Sequence, residues 1–189
     1  GTLGLSPLQC PRPNVFMIVD DILLYPQEMY DHGMSVIIAN TVRCSARTLA
    51  PQVKSLNYLN NILAKIEAID ADVPEAIMLN EHGQVAEATG DNVFLVTDGE
   101  LITPPADAGV LIGVTRAVVA QLAEREGIAA RENVVMPEDL FAAEECFLTG
   151  TAAEVIAVTR VDDRVIGDGQ VGPVTRRLLK AFRELDRKS

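Results

Sequence analysis

Apolar residues in this chain fall mostly in short runs broken by proline, glycine and Asp-Gly pairs, and helical spacing shows in only a few stretches. Residues 14–19 (Asn-Val-Phe-Met-Ile-Val) read as a buried strand introduced by Pro11 and Pro13. A polar connector with Pro26 follows. Residues 35–42 read as a second strand, and residues 43–51 as an irregular loop. Leu56, Leu59, Ile62, Leu63 and Ile66 recur at helical spacing, which predicts an amphipathic helix over 56–68 with Lys54 at its start. Short strands are predicted over 76–79 and 85–88. Residues 93–96 and 100–103 flank Asp98-Gly99, a strong hairpin signal.

After Pro104-Pro105 the pattern predicts a helix over 115–126 that stops near Gly127, then one helical turn over 139–142. Strands over 145–148 and 155–161 flank Gly150-Thr151-Ala152-Ala153, with a hairpin at Asp162-Asp163. The last helix starts near Pro173 and runs toward Arg187. Hairpins outnumber clear βαβ crossovers, so the class expected is α+β with a barrel-like sheet rather than a doubly wound one.

Composition narrows the function. With 189 residues and 48% apolar content the chain can bury a sizeable core. Its net charge of −11 argues against binding nucleic acid or anionic membrane through a general field. Any anionic ligand must therefore be held by a local device. Cys10, Cys44 and Cys146 are widely spaced and odd in number, which points to reduced thiols and the cytoplasm. No signal peptide or membrane-length apolar run is present, and neither His32 nor His82 sits in a metal motif. The opening Gly1-Thr2-Leu3-Gly4, without an initiator methionine, suggests a fragment or a processed product.

Four stretches can carry chemistry. Lys54, four residues before Tyr58, could share a helical face with it. Apolar surroundings would favour its neutral amine, which can form a Schiff base with a carbonyl. A plain surface lysine is the alternative, and lysine is rarely buried. Glu87 lies among small residues in a strand and could face a positive nitrogen, or simply face solvent. Gly113-Val114-Thr115-Arg116 precedes a helix, where free amides and a hydroxyl suit a phosphate; an ordinary threonine N-cap explains it equally well. Gly150-Thr151-Ala152-Ala153-Glu154 lets backbone approach an anion, or is a tight turn without a ligand.

In order, the blocks Lys54-Ser-Leu-Asn-Tyr-Leu-Asn-Asn, Glu87-Ala-Thr-Gly-Asp-Asn-Val-Phe, Gly113-Val-Thr-Arg and Phe147-Leu-Thr-Gly-Thr-Ala-Ala-Glu-Val resemble those of the class IV aminotransferases, which are fold-type-IV pyridoxal-phosphate enzymes. The Gly-Thr-Ala-Ala-Glu block is most similar to the branched-chain amino acid branch. The resemblance implies pyridoxal 5′-phosphate as cofactor, with Lys54 as the Schiff-base lysine and proton carrier. It implies that Tyr58 bonds the ring oxygen, Glu87 pairs with the ring nitrogen, and Gly90 and Leu111 flank the ring. Val114, Thr115 and Thr151 would hold the phosphate, and Arg43 would lie close to the cofactor. The amides of Thr151 and Ala152 would meet the substrate carboxylate.

The reaction so implied moves the amino group of leucine, isoleucine or valine to 2-oxoglutarate, in a homodimer or larger homo-oligomer. A D-amino acid aminotransferase, an aminodeoxychorismate lyase and a non-catalytic oligomerising domain are the rivals. Two departures stand out. Ala88 occupies a position where glycine is common. The family's smaller N-terminal domain, with a phosphate-binding arginine and part of the substrate wall, is expected to lie outside this chain. Residues 1–50 then correspond to the end of the first part of the family fold and the connection, and 51–189 to the cofactor-binding core. The chain alone is expected to bind cofactor weakly and turn over slowly or not at all.

Overall fold

The computed structural model describes residues 6–186 apart from residues 11, 21, 23 and 46. The regular elements are α1 (Gln27–His32), β1 (Met34–Ile38), α2 (Leu59–Asp70), β2 (Glu75–Leu79), β3 (Val85–Ala88), β4 (Asn92–Thr97), β5 (Glu100–Thr103), α3 (Val114–Arg125), β6 (Ala130–Glu132), α4 (Pro137–Ala142), β7 (Glu145–Gly150), β8 (Glu154–Val161), β9 (Arg164–Val165) and α5 (Pro173–Asp186). One sheet runs β3-β2-β1-β8-β7-β4-β5-β6, with β9 attached to β8. It is mixed: β1 is parallel to both β2 and β8, β5 is parallel to β6, and the other pairs are antiparallel.

The expected α+β, barrel-like class is what forms. Strands β3 and β4 are joined by a three-residue turn in which the Ala88 amide donates to the Asp91 carbonyl at 2.8 Å. Yet they occupy distant places in the strand order. A sheet can satisfy both facts only by curling, and the seam where β3 meets β4 becomes the floor of the site described below.

The apolar runs are continuous because both sheet faces are covered. Val93 and Leu95 of β4 join Leu148 of β7 in the core inside the curl, with Val36, Ile77 and Ile156. Phe94 and Val96 point the other way, beneath α3 and α5, with Phe147, Val119 and Leu178. There Phe94 and Phe147 stack at 5.1 Å between centroids. The β4–β5 hairpin turns on Asp98 (φ 52°) and Gly99 (φ 73°), the left-handed pair that Asp-Gly predicts.

Three expectations fail. Residues 14–19 form no strand, and Val15, Phe16, Met17, Ile18 and Val19 are all more than four-fifths exposed. Periodicity reveals that a run is apolar but not that a ladder partner exists. The second strand stops at Ile38 because the Glu67 carboxylate captures the next residues, accepting from the Asn40 amide at 2.6 Å and the Thr41 amide at 2.9 Å. The helix expected over 56–68 is α2, which starts later and is turned around. It packs its small face, Asn61, Ala64 and Ala68, onto Ala39, Ala76 and Met78. Leu59, Ile62, Leu63, Ile66 and Ile69 face outward. Small side chains let the helix approach the sheet closely, and that outweighs the burial of the larger stripe.

The short helix α1, read from sequence as connector, holds Tyr30 in the core. The opening four residues and Arg187 lie outside the described residues. Among those described, no helix is long and apolar enough to cross a membrane.

Candidate functional site

The segment before α2 is not helical, so Lys54 and Tyr58 do not share a helix face. They meet through a loop instead. Leu56 sits at φ 64°, in the left-handed region, and Tyr58 occupies the N-cap position of α2. The Lys54 ammonium then lies 5.8 Å from the centre of the Tyr58 ring. Lys54 is exposed rather than buried against apolar groups, contrary to the expectation from sequence. Leucine pays steric strain in the left-handed region, and this one is 80% exposed. Leu56→Gly is therefore expected to stabilise the chain by about 1 kcal/mol, read from the urea midpoint; a destabilised variant would show that Leu56 is held by contacts rather than strained.

Lys54 and Tyr58 line a cleft of about 630 Å³, counting its open mouth, together with Arg43, Glu87, Gly90, Asp91, Asn92 and Leu111. Glu87 forms its floor. It is 5% exposed, and every one of its oxygens is engaged. Oε1 lies 2.7 Å from Arg43 Nη2. Oε2 accepts from the Leu111 amide at 2.8 Å and from Asn92 Nδ2 at 3.3 Å. Burial pushes the carboxyl up to about 7, while the Arg43 charge, the Leu111 amide and the Lys54 charge pull against it. Glu87 is thus a carboxylate poised near neutrality, facing the same opening as Lys54.

Arg43 is fixed on all sides. Its Nη1 donates to Asn61 Oδ1 at 2.9 Å and its Nε to the Gly109 carbonyl at 3.3 Å. Asn61 in turn donates to the Thr89 carbonyl at 2.7 Å. Asn60 braces the same strand end, accepting from the Cys44 amide and donating to the Val42 carbonyl. The asparagines crowding the start of α2 are therefore splints for Arg43 and its neighbours.

Six of the residues singled out from sequence meet in this cleft: Arg43, Lys54, Tyr58, Glu87, Gly90 and Leu111. The other four do not line it. Val114 is exposed at the first turn of α3 and Thr115 is buried beside it. Gly113, not Thr115, is the N-cap, and it offers no side-chain cap. Thr151 and Ala152 line a second, open pocket of about 660 Å³, counting its mouth, with Tyr25, Tyr30, Glu154 and Arg183.

Three contributors escaped sequence reading. Asn92 bridges Glu87 and the Leu111 carbonyl (2.8 Å), and its Oδ1 fills the place a Cβ on Gly113 would need. Asp91 is a second buried carboxylate of the cleft. Thr149 carries the one buried side-chain oxygen among the described residues with no hydrogen-bond partner. Only the Asp91-Asn92 pair at the start of an apolar strand hinted at any of this. Among the described residues no cluster of His, Cys, Asp or Glu could hold a metal ion.

Thr149 bears on whether a phosphate fits. It stands opposite Asn92 in the β4–β7 ladder, so the two share a face, and the Asn92 carboxamide reaches the residues just ahead of α3. An unpartnered hydroxyl, uncapped first-turn amides of α3 and the turn after Gly150 are the donors a phosphate monoester asks for.

The family model for amino-transferase class IV matches residues 1–161. A putative branched-chain-amino-acid aminotransferase from Methanocaldococcus jannaschii is 44% identical over 188 residues, covering 100% of this chain and 64% of that protein. The crystal structure of Escherichia coli branched-chain amino acid aminotransferase superposes with a TM-score of 0.82 at 37% identity, over 85% of this chain and 53% of that one. The branched-chain amino acid aminotransferase from Thermobaculum terrenum, in its PLP form, gives 0.80 at 37% identity, over 85% and 53%. The chain thus spans less than two thirds of each of these proteins.

Proposed function

The chain belongs to the class IV aminotransferases, and from that premise we propose that it is the cofactor-binding part of a pyridoxal-phosphate-dependent branched-chain amino acid aminotransferase. The observation that carries the reading is the fully engaged, buried Glu87 in one cleft with Lys54 and Tyr58. The identity of the relatives named above supports the branched-chain substrates, and the family resemblance implies 2-oxoglutarate as the amino acceptor.

The residues fit the group. Lys54 would hold its aldehyde carbon, Tyr58 its ring oxygen and Glu87 its ring nitrogen, with Gly90 and Leu111 beside the ring. The amides of Val114 and Thr115, with Thr149 and Thr151, would take the phosphate, and Arg43 would stay on Glu87. Bound there, pyridoxal 5′-phosphate supplies an electron-withdrawing ring that draws charge from the amino acid's Cα. The chain's own residues do the rest. Lys54 would carry the Cα proton. Glu87, its carboxylate paired with Arg43 and the Leu111 amide, would keep a ring nitrogen protonated. The amides of Thr151 and Ala152 orient the substrate carboxylate.

The proposal extends to a cytoplasmic homodimer or larger homo-oligomer. Three free thiols support the first. The outward apolar face of α2 supports the second, since a contiguous apolar surface of this kind marks a contact site. Sedimentation of the purified chain is expected to show self-association that Ile62→Glu with Ile66→Glu abolishes; a chain monomeric throughout would remove that element.

The decisive test is chemical. Incubation with pyridoxal phosphate should give an absorption band of a lysine-linked chromophore, and borohydride followed by peptide mapping should find the label on Lys54. Labels on other lysines with Lys54 untouched would sink the reading. With turnover, L-leucine as donor supports the branched-chain branch, and pyruvate release from aminodeoxychorismate would move the chain to the lyases.

A further inference from the structure

Asp91 is a buried carboxylate to which the reaction just proposed assigns no task. Its backbone is fixed at the β3–β4 turn by the Ala88 amide. Its side chain lines the Lys54 cleft yet is only 7% exposed, and a carboxylate so buried persists when the surrounding fold holds it for a purpose or a partner. Two contacts define where it reaches. Across the seam, a Cβ on Gly150 would lie 1.9 Å from Asp91 Oδ1. Gly150 has no positive φ, so its glycine is explained by space for this carboxylate and not by backbone conformation. Tyr25, whose phenol burial raises above its ordinary range, stands near enough to the carboxylate for the two to interact.

Tyr25 walls the second cavity together with Thr151 and Ala152. Tyr30, on the same wall, donates its hydroxyl to the Ala153 carbonyl at 3.2 Å. The turn over 150–153 is therefore held by Tyr30 directly, and Asp91, with Tyr25 beside it, seats against its first residue. Asp91 lines the cavity that holds Lys54, and Tyr25 lines the one that holds the turn.

We propose that Asp91 is a positioning residue that sets the turn over 150–153 against the Lys54 cleft, with Tyr25 as its latch. The role of that turn, holding a substrate carboxylate, rests on the function proposed above. The charges facing Asp91 are Glu75, Lys65 and Lys54. Glu75 is itself occupied by Thr89, the Ala76 amide and Lys65, so it does not compete for Tyr25.

Hydrogen exchange on the chain without cofactor tests the tie. Asp91→Ala and Tyr25→Phe are each expected to speed exchange of the amides of residues 151–153 about tenfold, and the double variant no further. Asp91→Asn, which keeps the shape and the acceptor, should stay within about twofold of the parent. Unchanged or independently additive rates would overturn the proposal. Should Asp91→Ala not fold, Tyr25→Phe, which loses one hydroxyl, decides alone.

A second readout separates positioning from simple bracing. With pyridoxal phosphate on Lys54, 4-methylvalerate is titrated by its perturbation of the absorption band. Its affinity should fall about tenfold in Asp91→Ala and Tyr25→Phe, recover in Asp91→Asn, and leave formation of the band unaltered. Equal affinities would reduce Asp91 to a structural contact and overturn its role. No label on Lys54 in the parent chain would instead refute the aminotransferase reading, and the exchange experiment would then judge the Asp91 tie by itself.

Discussion

Replacing Arg43 by alanine is expected to destabilise the chain by about 3–5 kcal/mol at pH 8, the cost of leaving a buried carboxylate without its counter-charge. The Arg43 guanidinium is 2.7 Å from Glu87, and both side chains are at most one-tenth exposed, so water cannot replace the lost partner. The variant also removes the bonds to Asn61 and the Gly109 carbonyl. The loss should shrink as pH falls below about 7, where Glu87 binds a proton and needs no cation. Urea unfolding of both chains between pH 5 and 8 checks this. A loss that stays constant over the range would mean that Arg43 acts through its hydrogen bonds and not its charge.

The second large effect has the opposite sign. Asp91→Asn should stabilise the chain above pH 6, by about 3 kcal/mol at pH 8. Burial, with Glu75 next in effect, pushes the Asp91 carboxyl up from 3.8 to about 6. A carboxyl whose folded value is raised binds more protons folded than unfolded across that window, so stability falls as pH rises. Its penalty is absent below about pH 4 and complete above about pH 7. Glu87 acts in the same direction between 4.5 and about 7. The parent chain is therefore expected to lose stability on going from pH 4 to pH 8. The advantage of Asp91→Asn should open over the same interval, and parallel pH profiles would refute it.

Much of the site is legible in the chain because its residues are chemically uncommon in their places. A lysine followed by tyrosine and paired asparagines, or a glutamate among alanines, marks itself. Strand identities from Glu75 to Val161, apart from the exposed β6, were readable because each run is bounded by turn chemistry, as at Asp98-Gly99. Orientation was not readable. The stripe from Leu59 to Ile69 has helical spacing, yet Ala64 and Ala68 make the contact with the sheet, since closeness of approach is a property of the partner surface. Residues 14–19 show the same gap, for an apolar run carries no record of what should pair with it. The tasks of Asn92, Asp91 and Thr149 were hidden because they arise across the seam, between positions that sequence spacing does not bring together.

The strand order sets a timetable for folding. β1 pairs with β8 in parallel, matching Met34 with Val158, so the middle of the sheet is built from segments more than 120 residues apart. Loop-closure entropy must be met before such a pairing repays it, which makes the fold a slow and cooperative one. Lys54 and Glu87 leave the ribosome well before residues 154–161, yet the curl that brings them together exists only once β8 has been inserted. The cleft is then among the last features to mature, and a chain that holds a ligand there has completed its sheet.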